Sequence, residues 1–97
     1  MKNTKKILIN TCYGGFGVSP KLREIYSERT GSELPENYDI ENREDETLIS
    51  ISEEIGLAEA SDKHAELKII EIPFDVEYKI HDYDGLESIH EVHRVWR

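Results

Sequence analysis

Cysteine is almost absent. Cys12 stands alone in 97 residues, which excludes an intrachain disulfide framework and a cysteine-built metal centre. Long apolar runs are missing too. No stretch approaches the roughly 18 residues that cross a bilayer, and none has the form of a signal-peptide core. The chain is therefore expected to be soluble and intracellular, with no membrane partner. Basic residues are outnumbered: 12 Lys and Arg stand against 21 Asp and Glu, a net charge of -9. Duplex nucleic acid is bound by basic surfaces that displace its counterions, so it is not an expected partner.

What is present suffices for one modest core. The hydrophobic share is 37%, enough for a single domain over residues 1–97 but with little stability to spare. At this size a second copy that completes the core is a reasonable expectation, so a homo-oligomer is expected. The charge is uneven. Residues 1–32 carry Lys2, Lys5, Lys6, Lys21, Arg23 and Arg29 against only Glu24 and Glu28, whereas residues 33–59 are acidic and carry only Arg43. A small anionic ligand held in the basic third remains compatible with the overall acidity.

That third contains the most distinctive stretch, Asn10-Thr11-Cys12-Tyr13-Gly14-Gly15-Phe16-Gly17-Val18-Ser19-Pro20. It follows the apolar run Ile7-Leu8-Ile9, which reads as a strand from about Lys6 to Thr11. Gly14, Gly15 and Gly17 allow dihedrals that a side chain forbids. Ser19 fits an N-cap and Pro20 the first helical position. Leu22, Ile25 and Tyr26 continue at helical spacing to Gly31, which predicts a helix over 20–30. Residues 32–44, with Pro35 and two asparagines, form a long loop that Tyr38 and Ile40 can pin down. A second helix is expected from about Asp45 to Ile55, with Leu48, Ile51 and Ile55 on one face, acids at its start and Gly56 at its end. Residues 57–64 fit a further turn or a link.

The last third reads as strands. Glu66–Ile72 is closed by Pro73. Val76–Tyr83 alternates, with Val76, Tyr78 and Ile80 opposite Glu77, Lys79 and His81. Asp84-Gly85 is a favoured two-residue hairpin turn, which pairs Tyr83 with Leu86 and Ile80 with Ile89. The tail from Glu87 fits a strand to about Glu91 or beyond, although Ile89, Val92 and Trp96 also fit a helix face. The expected fold is α+β: a small mixed or antiparallel sheet of about four strands with two helices, in the order β-α-α-β-β-β.

A glycine bend that feeds a helix N-terminus can bind an anion through unpaired amides, and phosphate is the commonest such anion. The same bend can simply be a tight strand-to-helix crossover. It matches neither a Walker A loop nor a dinucleotide fingerprint. Phe16 and Tyr13 each read two ways, as a stacking surface for a base or as a core plug. Cys12 reads as a small core residue or as a thiol activated near a helix start. No Cys-x5-Arg phosphate cradle follows it, because position 18 is valine. His90 and His93 share a face only if the tail is helical, and no third metal ligand stands out. Arg94 and Trp96 can supply a phosphate contact and a stacking surface, or Trp96 can anchor the last element or a subunit interface. The candidate ligand-binding set is Asn10, Thr11, Cys12, Tyr13, Gly14, Gly15, Phe16, Gly17, Ser19, Arg94 and Trp96. No catalytic residue, metal or cofactor is assigned.

Two patches carry a resemblance. The first is Ile9-Asn10-Thr11-Cys12-Tyr13-Gly14-Gly15-Phe16-Gly17-Val18-Ser19. The second is Glu71–Tyr78, continuing through Asp82–Glu87 and Glu91–Trp96. Together they resemble a family of small bacteriophage and prophage proteins without a catalytic assignment, with Val18 where leucine is expected in relatives. The resemblance implies an accessory protein in the cytoplasm of an infected bacterium. By analogy with other small phage proteins, it suggests sequestration of a nucleotide-derived immune signal, an anti-defence role. The residues therefore lead first to a non-enzymatic binder of a small phosphate-bearing, nucleotide-like ligand. An enzyme modifying such a ligand is one alternative, and a protein-binding inhibitor that presents its acidic 33–59 face is another.

Overall fold

Apolar residues at consecutive positions, as in Ile7-Leu8-Ile9, need cover on both faces of their strand. In the structure, a computed structural model that describes residues 4–91, they have it. Strand β1 (Thr4–Asn10) pairs antiparallel with β2 (Leu67–Pro73), setting Leu8 opposite Ile69 and Ile7 opposite Ile70. Leu8 and Leu67 join a buried cluster with Phe16, Val18, Leu22, Ile40, Leu48 and Ile51. Ile7, Ile9 and Ile72 join a second cluster with Val76, against which Tyr78, Ile80 and Ile89 pack. The β1–β2 ribbon is thus a middle layer, with helices on one face and a hairpin on the other. A two-stranded ribbon is marginal alone, and burial on both faces is what makes this one a core.

Helix α1 (Pro20–Thr30) starts and stops where its local chemistry dictates. The Ser19 hydroxyl accepts the Leu22 N–H, Pro20 holds the first position, and Gly31 ends the helix at φ 74° with its N–H on the Ser27 carbonyl. Helix α2 (Glu46–Ile55) is capped by Asp45, whose carboxylate accepts the N–H groups of Thr47 and Leu48. Its buried face includes Leu48, Ile49 and Ile51, and Ser52 satisfies its own buried hydroxyl by donating to the Leu48 carbonyl. The segment after Gly56 makes a single further turn, α3 (Leu57–Ala60). Strands β3 (Tyr78–Tyr83) and β4 (Leu86–Glu91) form the hairpin. Asp84 and Gly85 both take positive φ, 55° and 93°, as this turn requires. Tyr83 faces Leu86 and Ile80 faces Ile89, the expected register. The tail is strand as far as Glu91, and its later residues, Val92, His93, Arg94 and Trp96 among them, lie outside the described residues.

The domain is α+β with four antiparallel strands, but these make two pairs, β1–β2 and β3–β4. The Arg43 backbone and the Arg43 and Glu87 side chains explain the split. On the edge of β1 away from β2, the Leu8 N–H donates to the Arg43 carbonyl and the Asn10 N–H to the Glu87 carboxylate, both at 2.9 Å. The Arg43 guanidinium grips Glu87 with two nitrogens at 2.7 and 2.9 Å, and reaches the Ile40 and Leu8 carbonyls. The two side chains are 12% and 6% exposed. This ion pair stands where a third strand would otherwise add to β1.

The long loop before α2 is pinned. Asn37, in a short 3-10 turn (Asn37–Asp39), accepts the Val18 N–H and an Arg23 guanidinium N–H and donates to Asp62. Ile40 is buried as expected; the Tyr38 side chain lies outside the described set. The two long helices are tied by Tyr26, whose hydroxyl donates to Asp45 at 2.7 Å, and by Arg29, which holds Glu54 through both guanidinium nitrogens. The bond to Asp45 pushes the Tyr26 hydroxyl above its ordinary range. The Arg29 hydrogen bonds lower Glu54 to about 2.

An acid depressed in the fold adds stability above its unfolded value and loses that contribution as pH falls through the folded one. The Glu54 carboxyl is expected to titrate by NMR near about 2, and to return towards 4.5 in Arg29→Met. Removing one partner of the buried pair is expected to cost more than any surface change. Glu87→Ala should lower the urea-denaturation free energy by about 3 kcal/mol, and Glu87→Gln, which keeps an acceptor for Asn10, by less.

Candidate functional site

Asn10 ends β1 and anchors the glycine loop. It is fully buried, and each polar atom of its side chain is engaged. Its Nδ2 donates to the carbonyls of Cys12 at 2.5 Å and Gly85 at 2.7 Å, and its Oδ1 accepts the Glu66 N–H at 2.8 Å. One side chain thereby joins the loop, the hairpin turn and the segment that leads into β2. Thr11 adds to the last link: its N–H and hydroxyl both donate to the Glu66 carbonyl, at 2.7 and 3.0 Å.

The loop glycines serve two different needs. Gly14 lies against the backbone of His64, where an added Cβ would fall 1.8 Å from a carbonyl oxygen. Gly85 of the hairpin presses on the loop from another side, its Cβ position 2.5 Å from the Tyr13 carbonyl oxygen. Gly17 is similarly close to the Asn37 amide. Gly15 meets nothing; its φ of +92° is what demands glycine.

The second half of the stretch is structural. Phe16 is 8% exposed and its ring centroid lies 3.6 Å from the Arg43 guanidinium carbon. Of its two readings, Phe16 is therefore the core plug, packed under a cation. Ser19 is buried, its hydroxyl donating to the Glu59 carbonyl at 2.6 Å while capping Leu22, and its N–H donates to Ala60. The Val18 N–H is taken by Asn37, and Pro20 has none. Apart from the Lys21 N–H, the start of α1 is thus closed by the chain's own groups, which leaves little room for an anion at that helix end.

The first half is different. Among the described residues, the N–H groups of Cys12, Tyr13 and Gly14 make no hydrogen bond within the protein. Tyr13 is 62% exposed, and Cys12 is a half-buried free thiol. The backbone of exposed His64 faces Gly14, and exposed Lys63 precedes it. Four of the basic residues of the N-terminal third are engaged elsewhere, and exposed Lys21 follows the loop at the start of α1. Lys6 pairs with Glu53, Arg29 with Glu54, Arg23 with the Leu34 and Pro35 carbonyls, and Lys5 lies over the Tyr78 ring. Lys63 and His64 were missed by sequence reasoning because only the long-range approach to Gly14 brings them near. The paired glycines 14 and 15 were the one local sign that some backbone had to come close. Arg94 and Trp96 lie outside the described residues.

Other candidates fall elsewhere. His81 and His90 stack across the hairpin, ring centroids 3.8 Å apart and planes 11° from parallel. Ring lone pairs lie in the ring planes, so rings stacked this way do not converge on one ion. Among the described residues no group of three or more His, Cys, Asp or Glu is placed to hold a metal. A groove of about 550 Å³ opens between β1, α2 and the end of β2. Its lining includes Lys5, Lys6, Glu46, Glu53, Glu71 and Phe74, and no residue of the glycine loop. Carboxylates outnumber ammonium groups there, which disfavours phosphate. On its margin, burial and the Glu44 carboxylate raise the Tyr78 hydroxyl above its ordinary range. No helix among the described residues is long and apolar enough to cross a membrane.

Fold and loop define a small three-layer α+β domain with an amide-bearing glycine loop at the end of its central strand. Comparison with known proteins found no matching family model, no matching curated protein and no matching solved structure.

Asn10→Ala would leave two carbonyls and one N–H without their partner. It is expected to lower the unfolding free energy by about 3 kcal/mol, read from urea denaturation, with amide shifts concentrated at Cys12–Gly15 and at Gly85.

Proposed function

We propose that the chain binds, without transforming it, a small phosphate-bearing, nucleotide-like ligand at the Cys12–Gly14 rim of the glycine loop. The observation that carries this reading is the run of three loop amides without protein partners beside an exposed tyrosine ring. Successive backbone N–H groups suit phosphate oxygens, an exposed aromatic suits a base, and Asn10 holds the loop so that little ordering is needed on binding. Exposed Lys63, next to the His64 backbone that faces Gly14, offers a positive charge. The resemblance to phage and prophage proteins extends the proposal: the ligand is a nucleotide signal of the host's defence, held out of circulation in the bacterial cytoplasm.

Two other readings each have one observation behind them. The free thiol of Cys12 at the same rim favours an enzyme acting on such a ligand. The acidic groove with exposed Phe74 favours an inhibitor of a basic host protein. A panel of cyclic and linear nucleotides mixed with pure protein, then recovered after denaturation, separates the three. Intact ligand returned in stoichiometric amounts is the expected result. Altered ligand in turnover amounts selects the enzyme, and absence of binding selects the protein target. Tyr13→Ala, an exposed change that should leave the fold intact, is expected to weaken nucleotide binding about tenfold in calorimetry; unchanged affinity would remove the loop from the site.

A further inference from the structure

The β1–β2 ribbon has two edges, and they are finished differently. Backbone N–H groups alternate in direction along a strand. Leu8 and Asn10 point theirs away from β2, towards Arg43 and Glu87. The odd-numbered residues of β1 therefore face β2, and the register sets Ile9 on Lys68, Ile7 on Ile70 and Lys5 on Ile72. It follows that Leu67, Ile69 and Glu71 turn their backbone groups to the other edge. The Leu67 N–H confirms the phase, since it donates outward to the Ser61 hydroxyl at 2.9 Å. At the far end Pro73 has no N–H, and its carbonyl accepts the Val76 N–H. Between these stops, among the described residues, no group bonds the outward N–H or C=O of Ile69 or Glu71. α2 and β4 touch β1, and α3 touches β2; with Ser61, just after α3, closing the edge at Leu67, the open stretch of β2 is Ile69–Glu71. Glu71 is exposed, and Ile69 and Ile70 are half-buried.

The geometry points to a second copy of this chain as the occupant of that edge, β2 against β2 in antiparallel fashion about a two-fold axis at Ile70. Only one register uses all the outward groups and no others. Ile69 faces Glu71 of the second copy and Glu71 faces its Ile69, each pair exchanging two backbone hydrogen bonds. The two Ile70 side chains meet at the centre. A shift by two residues towards Leu67 would need the N–H already bonded to Ser61, and a shift towards Pro73 would need an N–H that proline lacks. The product is a continuous four-stranded sheet, β1-β2-β2-β1, in place of a ribbon with a bare edge, and such an edge is a ready template for pairing. This register also sets the two Glu71 carboxylates diagonally across the junction on one face, where like charges oppose each other.

The test is sedimentation equilibrium of the intact chain, with amide hydrogen exchange read over a concentration series. A concentration-dependent dimer is expected, with Ile69 and Glu71 amides protected only at high concentration. Glu71→Gln should tighten it about two- to fivefold. Glu71→Pro removes an outward N–H while leaving the β1 ladder, and should give a monomer whose Ile7 and Ile9 amides stay protected. A chain that is monomeric at millimolar concentration overturns the proposal, as does a dimer whose Ile69 and Glu71 amides exchange freely. The exchange pattern of the unaltered chain decides the matter even if the proline variant does not fold.

Discussion

Arg43 and Glu87 hold the place beside β1 that a neighbouring strand would normally hold. The carboxylate takes one edge N–H, and the guanidinium reaches an edge carbonyl. The fork that joins them is bidentate and almost wholly excluded from solvent. Such a pair has to be fully hydrogen-bonded to be tolerated in the interior, and this one is. It satisfies the central strand, fixes the hairpin against the ribbon, and gives Phe16 a cation to pack beneath. It also explains why four antiparallel strands form two pairs: the Arg43 carbonyl and the Arg43–Glu87 side chains occupy the edge where a third strand would otherwise continue the ladder.

The glycine loop depends on the same junction. Glu87 receives the Asn10 N–H, and the Asn10 side chain then draws Cys12 and Gly85 together. The close backbone approaches at Gly14 and Gly85 follow from this convergence, since each brings a carbonyl to where a Cβ would stand. From Phe16 to Ser19 the stretch is absorbed into the core and the cap of α1. From Cys12 to Gly14 it is presented to solvent. Part of the candidate site is therefore scaffold, and the rim is what remains for a ligand.

Much of the fold was legible locally. Ser19-Pro20, Gly31, Asp45 and Asp84-Gly85 are caps and turns whose chemistry acts over a few residues, and each lies where its local rule puts it. The hairpin register followed from its turn alone. The site was less legible. The local roles of Asn10 at a strand end, Phe16 in the loop and Ser19 at a cap say nothing of their partners, Gly85, Arg43 and Glu59, which come from remote segments. Likewise, three cations of the basic N-terminal third pair with Glu53, Glu54 and the carbonyls of the 34–35 loop segment, which no local pattern announced.

The sequence by itself determined the two long helices and the four strands, with ends good to about two residues, and that Cys12–Gly17 must bend; the short turns at 37–39 and 57–60 and the course of the tail it left open. Those choices rest on backbone dihedrals, caps and periodicity, all short-range. Only the tertiary structure decided that the strands form two ribbons, that Phe16 faces inward, and that His64 meets Gly14. Those outcomes depend on which distant polar groups satisfy one another in the interior, and a buried Asn10 or Arg43 cannot choose its partners until the chain has closed around it.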